Sequence, residues 1–251
     1  MIEPTEPHPS PVEEAPADRA LADLARLAAG TERLLRTCAA LDAAALAVPS
    51  HLPGWSRAHV LTHLARNADG LRNLLLGARA GRAVAPYPSP QLRDADIEAG
   101  AGRPAHLIVL DVGASAERFA LDAASTDPAL WATGLGLGPG QPRLLADLPG
   151  HRLREVEAHH ADLDAGYHLA DVPADVAGSF LDLVPGRFAG STLDPAVLVA
   201  TDLGRRWTIG DGAGPTVSGT ANALMSWVLG RSGPEGLTAD RDGVPPSPGW
   251  G

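Results

Sequence analysis

Apolar periodicity in four long segments is the feature that most limits the folds open to this 251-residue chain. Apolar residues recur there at spacings of three and four, which places them on one face of a helix. The pattern predicts helices over residues 17–47, 56–77, 103–125 and 144–167. Loops rich in Pro or Gly are predicted over 82–93 and 127–142. Four amphipathic helices of this length predict a four-helix bundle over 17–170.

The helical pattern weakens after Asp171–Asp175, a short stretch that is typical of a linker. Short apolar, β-branched runs then predict three strands, and a helix is predicted to follow them. These elements are expected at 196–201, 207–209, 216–218 and 220–229. The sequence therefore predicts an α+β protein, in which a small α+β domain over 178–233 follows the bundle. Residues 1–16 and 234–251 are polar and Pro-rich, and we expect them to be disordered tails.

Charge and composition disfavour several classes of function. The formal net charge is −10, which disfavours nucleic acid and anionic membrane surfaces as partners. Cys38 is the single cysteine, so there is no internal disulfide, and we expect it to be a small buried residue. No apolar segment has the length of a membrane-spanning helix, and no basic and apolar leader is present. We therefore expect a cytoplasmic protein, and the oligomeric state stays open.

The fourth predicted helix carries two carboxylates and two imidazoles between Glu155 and His160. Glu155 and His159 are four residues apart, so they lie one turn from each other on the same side of the helix. Such a pair could bind one divalent ion with a third ligand from elsewhere. It could equally be an intrahelical ion pair worth about 0.2–0.5 kcal/mol. Glu157 and His160, offset by three, form a rival pair.

His63 lies beside the apolar side of the second predicted helix. It could be a histidine hydrogen-bonded at the edge of the core, or it could meet the acidic and imidazole groups of the fourth helix. Two imidazoles and one carboxylate leave a coordination position open, which is typical of a catalytic metal site. A thiol bound at that position would lose its proton near neutral pH. Asp162 could accept a hydrogen bond from a ligand imidazole, or it could be solvated.

Two arginines, Arg82 and Arg93, flank the first long loop. The loop is long enough to be a lid or a pocket wall. The arginines could be solvated surface residues, or they could clamp a substrate carboxylate.

Two stretches carry a family resemblance: Pro53–Ala68 reads PGWSRAHVLTHLARNA, and Arg154–Leu163 reads REVEAHHADL. Together they resemble the mycothiol-dependent maleylpyruvate isomerase family. The resemblance covers about residues 17–233. It implies a DinB-like metal-binding bundle with a sterol-carrier-like C-terminal domain. By this likeness the metal ligands are His63, Glu155 and His159, and the ion is zinc. The segment Leu229-Gly-Arg231 resembles the family's ending, which implies that Arg231 assists the active site.

The resemblance implies a zinc-dependent isomerase that uses mycothiol as its thiol cosubstrate. The thiolate would add to a conjugated cis double bond, the adduct would rotate, and elimination would return the trans isomer. Arg231 or Arg82 would hold the substrate carboxylates. Two alternatives stay open: a mycothiol S-transferase acting on another electrophile, and a metal-free binding protein. The sequence does not identify the electrophile.

Overall fold

The computed structural model describes residues 15–137, 142–241 and 243–249. Residues 1–14 of the expected N-terminal tail lie outside these ranges, as do residues 138–141 of the second long loop. The helices are α1 (Pro16–Cys38), α2 (Ala43–Ala47), α3 (Arg57–Arg79), α4 (Pro90–Ala101), α5 (Ala105–Ala124), α6 (Leu148–Asp162), α7 (Ala174–Leu181), α8 (Val184–Arg187) and α9 (Ala221–Val228). The strands are β1 (Ala196–Ala200), β2 (Arg205–Ile209), β3 (Thr216–Gly219) and β4 (Thr238–Ala239).

Helices α1, α3, α5 and α6 form the predicted four-helix bundle. Both α1 and α3 pack against α5 and α6, and α4 covers a further side of α3. Because α3 is enclosed in this way, the consecutive residues 60–65 are all buried. The α+β fold class is confirmed. No helix in the described ranges is both long and apolar enough to cross a membrane.

Helix boundaries differ from the prediction where local capping overrides apolar periodicity. The helix expected over 17–47 is interrupted, because Asp42 caps α2 by accepting a hydrogen bond from the Ala45 amide at 2.8 Å. Helix α6 ends at Asp162 rather than near Tyr167, since Asp164 and Gly166 take positive φ values of 52° and 88°. Cys38, as expected, is buried at the end of α1, and burial raises the pKa of its thiol to about 12.

Helix α4 was not predicted, and it begins at Pro90 inside the loop expected over 82–93. The Ser89 side chain caps it by accepting from the Leu92 amide at 3.1 Å. Its buried residues are Ile97 and Gly100, so the helix has little apolar periodicity to detect. A Cβ at Gly100 would lie 2.4 Å from Cγ2 of Thr62, so glycine permits this close approach to α3.

The C-terminal region is a four-stranded sheet in the order β2-β1-β3-β4; α8 and α9 pack against its strands, and α7 packs against α9. The β1–β3 pair is parallel and the other two pairs are antiparallel. Helix α7 begins inside the linker expected over 171–175. Gly230, with φ of 70°, ends α9 as expected.

The expectation of a disordered tail over 234–251 is wrong at β4. Ser218 of β3 pairs with Thr238, and the Asp240 side chain accepts a hydrogen bond from the Thr216 amide at 2.8 Å. Leu237 also packs against the core. The polar composition gave no sign of this strand, because the open edge of β3 and not the tail's own apolar pattern holds it in place.

A buried carboxylate joins α1 to α6. Glu157 is fully buried and accepts hydrogen bonds from Arg33 and from the Tyr167 hydroxyl, each at 2.5 Å. A Cβ at Gly30 would lie 2.6 Å from Oε1 of Glu157, so α1 needs glycine there. Next to it, His160 lies 2.8 Å from the Thr37 hydroxyl and stacks on the Tyr167 ring. The rival pair Glu157 and His160 therefore faces α1, on the side of α6 away from α3.

We predict that Glu157→Ala lowers the free energy of unfolding by about 2–3 kcal/mol, because Arg33 and the Tyr167 hydroxyl lose their buried acceptor. Urea unfolding measures the change. The control is Glu32→Ala, which removes the exposed ion pair with Arg36 and should cost less than about 1 kcal/mol. Equal losses in the two variants would contradict a structural role for the Glu157 cluster.

Candidate metal centre

His63, Glu155 and His159 meet where α3 packs against α6. Nε2 of His63 lies 3.1 Å from Oε2 of Glu155, and Nε2 of His159 lies 3.8 Å from the same oxygen. One potential ligand atom from each residue lies within 4.8 Å of the others. The imidazole rings are nearly perpendicular, at 86°, with centroids 4.7 Å apart. The structure thus brings together the three residues singled out from two distant stretches of sequence.

The local environment prepares these side chains as electron-pair donors. His63 is buried, and burial lowers the pKa of its imidazole, so the ring is neutral at neutral pH. Burial alone would raise the pKa of Glu155. The hydrogen bond to His63 and the charges of neighbouring histidines outweigh that effect and lower the Glu155 pKa well below its usual range. A neutral imidazole and an ionised carboxylate are the forms that bind metal.

Asp162 orients His159. Its Oδ2 lies 2.8 Å from Nδ1 of His159, which places the imidazole proton on Nδ1 and leaves the Nε2 electron pair facing the site. Arg231 holds the same carboxylate with two hydrogen bonds, at 2.7 Å and 2.8 Å. Burial raises the pKa of Asp162, but the hydrogen bonds from Arg231 and His159 outweigh it and lower that pKa to about 2. Of the two interpretations of Asp162, the buried hydrogen-bond partner is the one observed.

Glu155 is oriented in a similar way from the opposite side. The amide nitrogen of Asn67 donates to Oε2 of Glu155 at 3.2 Å, and the amide oxygen accepts from Arg152 at 2.8 Å. Since a guanidinium group has no acceptor, Arg152 fixes which end of the amide faces Glu155. Burial lowers the pKa of Arg152 to about 10, so it remains a cation at neutral pH. Sequence analysis missed both residues, although Asn67 lies one helical turn after His63.

A cavity of about 350 Å³ opens above the three side chains. Its apolar walls come from several elements, among them Leu52, Trp55, Leu71, Leu74 and Leu137. The loop expected over 82–93 contributes Pro86 and Tyr87, so it is a pocket wall as anticipated. His151 also lines the cavity, one helical turn before Glu155. The spacing of four that connects His151, Glu155 and His159 is a signal that could have found it.

The two arginines at the ends of the first loop have different positions. Arg82 is exposed in the turn after α3 and does not line the cavity. Arg93, in the first turn of α4, lines the cavity, and its Nη2 lies 3.0 Å from Nδ1 of His63. Arg231 reaches the site through Asp162, and it too is absent from the cavity wall. Of the two arginines expected to hold substrate carboxylates, the structure thus brings neither Arg82 nor Arg231 to the pocket surface.

The donor set fits a divalent ion such as zinc, which binds imidazole nitrogen and carboxylate oxygen. Two of the three donors have the hydrogen-bond partners that orient ligands in metal sites: Asp162 for His159, and Asn67 for Glu155. The cavity lies on the side where a fourth ligand could enter.

The model of the mycothiol maleylpyruvate isomerase N-terminal domain family matches residues 10–164, which is more than half of the chain. The chain belongs to this family. The resemblance carried by the two motifs is thereby confirmed. The matched range contains all three candidate ligands and ends just after α6.

Solved structures extend the likeness to the C-terminal region. A crystal structure of the mycothiol-dependent maleylpyruvate isomerase is 25% identical, with a TM-score of 0.83 over 92% of this chain and 97% of that chain. A crystal structure of a histidine-to-alanine mutant of that enzyme has the same TM-score and coverage at 24% identity, and it supports the fold alone. A search of curated proteins finds no match.

We predict that His63→Ala lowers the zinc content from about one ion per chain to near zero, because two ligands do not hold the ion. Elemental analysis of the dialysed protein measures it. His160→Ala is the matched control, and it should retain zinc because its ring packs between Thr37 and Tyr167. If His63→Ala retained zinc while His160→Ala lost it, the result would contradict the assignment of His63, Glu155 and His159 as the ligands.

Asp162→Asn should raise the dissociation constant for zinc by about 10- to 100-fold, because His159 loses a charged partner. Arg231→Gln should shift it in the same direction by less, since the carboxylate then remains but is held less firmly. Competition with a chromophoric chelator measures both constants. If Arg231→Gln left zinc affinity unchanged and raised only KM for the substrate, Arg231 would act on substrate and not through Asp162.

Proposed function

We propose that the protein is a zinc-dependent isomerase that uses mycothiol to convert a conjugated cis double bond, as in maleylpyruvate, into the trans form. The observation that carries this proposal is the group of two histidines and one glutamate at the floor of an open cavity. Membership of the family and the likeness to a solved isomerase support the same reaction.

His63, Glu155 and His159 would hold the ion at the cavity floor. Zinc bound there would supply a positive charge that lowers the pKa of a thiol toward neutrality. His151 lies on the cavity wall, and burial lowers the pKa of its imidazole, so it is neutral at neutral pH. A neutral imidazole one turn from Glu155 could accept the proton that the thiol releases.

In the reaction, the thiolate sulfur would form a bond to one alkene carbon while the π electrons move onto the conjugated carbonyl as an enolate, so that the former double bond becomes a single bond that can rotate. Return of the enolate electrons would restore the double bond in the trans form and expel the sulfur as a thiolate, which takes back its proton. The apolar side chains of Trp55, Leu71 and Leu74 line the cavity and would limit the access of water to the adduct. Water exclusion matters because protonation of the adduct carbon would trap it as a thioether.

We expect the zinc-loaded protein to isomerise maleylpyruvate only when mycothiol is present. Glu155→Gln should lower kcat/KM by about a thousandfold or more, because it removes the anionic ligand. Glu32→Gln, at an exposed site on α1, is the matched control and should behave as the wild-type protein. Product analysis by chromatography and mass spectrometry distinguishes the outcomes. A stable thioether in place of the isomer would indicate an S-transferase, and a protein without zinc or turnover would indicate a binding protein.

A further inference from the structure

We propose that Arg93 binds a carboxylate of the electrophile, and that the pocket thereby selects anionic substrates over neutral ones. The inference deepens the proposed function, on which it rests. Sequence analysis offered this task to Arg82 and Arg93 as residues that flank the first loop, and the family resemblance offered it to Arg231 or Arg82; the position of Arg93 favours Arg93.

The position of Arg93 is the first observation. Its guanidinium lines the cavity, lies 5.8 Å from the centre of the Tyr87 ring, and places Nη2 beside His63 at the cavity floor. Its carboxylate partner is the adjacent Asp94, at 2.8 Å, whose side chain is 67% exposed. An exposed ion pair of this kind contributes little, so it competes weakly with a substrate carboxylate. A planar guanidinium can also bind a carboxylate with two parallel hydrogen bonds.

The contact with His63 is the second observation. Arg93 can only donate, so Nδ1 of His63 accepts in this arrangement. An imidazole that ligates a metal through Nε2 carries its one proton on Nδ1. Two donors would then face each other, and the guanidinium of Arg93 would need a new acceptor. The nearest free space is the cavity that Arg93 already lines.

The balance of charge is the third observation. Among the described residues that line the cavity, Glu155 is the carboxylate and Arg93 is the permanent cation. Arg152 adds a second cation behind the wall: it is buried, and among the described residues its side chain donates to the neutral Asn67 while its Nη2 has no partner. Asp69, the other acidic group near Arg152, is already paired with Arg66 and Arg118.

Glu155 cancels one charge of a divalent ion, and an ionised thiol cancels the other. Among the described residues of the cavity lining, no further carboxylate then offsets the charge of Arg93, whose partner Asp94 is exposed, or that of Arg152 behind the wall. An anionic electrophile bound by Arg93 would offset this excess positive charge, whereas a neutral electrophile would not. The pocket is therefore better suited to anionic electrophiles than to neutral alkylating agents.

Calorimetric titration with maleate, in the absence of any added thiol, tests the proposal on the zinc-loaded protein. Wild type should bind maleate, and Arg93→Gln should weaken binding by about tenfold or more, because a charge-assisted hydrogen bond is lost. Arg93→Lys keeps the positive charge but cannot make two parallel hydrogen bonds to a carboxylate, so its affinity for maleate should lie between those of wild type and Arg93→Gln. Arg36→Gln, at an exposed ion pair on α1, is the matched control and should bind as the wild type. Zinc content and a thermal melt, measured on each variant, identify any loss of metal or fold.

Unchanged maleate affinity in zinc-loaded Arg93→Gln would overturn the proposal, as would a larger loss in Arg82→Gln than in Arg93→Gln. The experiments distinguish a failure of the proposed isomerase reaction from a failure of the proposed carboxylate site at Arg93. Arg93-dependent maleate binding without isomerase activity in the wild type would sustain the carboxylate site while the proposed reaction fails. If wild type and Arg93→Gln isomerise maleylpyruvate with the same KM, the result would support the proposed reaction. It would contradict the proposal that Arg93 binds a substrate carboxylate.

Discussion

The contact between His63 and Glu155 is the interaction on which the site depends, since it joins the central helix α3 to α6. Helix α3 packs against α2, α4, α5 and α6, so the backbone at His63 has little freedom to move. A polar ring on such a helix needs a partner, and Glu155 supplies it at 3.1 Å. Packing in the bundle therefore fixes the distance between donors on the two helices. The geometry of the candidate metal site therefore follows from the packing of the core and not from a flexible loop.

Two chains of hydrogen bonds orient the candidate ligands Glu155 and His159, and they come from different parts of the fold. One runs from the buried Arg152 through Asn67 to Glu155, within the bundle. The other runs from Arg231 through Asp162 to His159 and crosses from the C-terminal region. Each places a full positive charge one residue behind a ligand. Arg231 and His159 lower the pKa of Asp162, whereas the hydrogen bond to His63 and the charges of neighbouring histidines lower the pKa of Glu155, so both carboxylates are ionised.

The fold was predictable from sequence to the extent that apolar periodicity encodes it, and the meeting of His63, Glu155 and His159 was expected from the family motif. Apolar spacing located the bundle helices, but it could not find α4, whose buried residues are Ile97 and Gly100. The spacing of four placed Glu155 and His159 together, and the family motif favoured them over Glu157 and His160. The physical reason appears only in three dimensions, because Glu157 is engaged by Arg33 on α1.

The roles of the arginines could not be read from sequence. Arg82 and Arg93 lie at the two ends of one irregular loop. No periodic pattern in the sequence indicates which of the two side chains faces the cavity. Arg231 lies far from α6 in sequence, so its pairing with Asp162 depends on how the C-terminal region docks. That docking uses contacts such as those from the Asn222 amide to the carbonyls of Leu169 and Val172. A local sequence window holds no signal for such pairings.

The link from Arg231 to Asp162 has a consequence for biosynthesis. A ribosome makes the three donor residues well before it makes residue 231, so a nascent chain can fold α6 while the brace on Asp162 is still missing. Such a chain has its candidate ligands but lacks the Arg231 contact that holds Asp162 against His159, and it should bind a metal ion less tightly than the finished protein. Synthesis of residue 231 would then complete the orientation of His159, so a site on the bundle helices would depend on a residue of the C-terminal region.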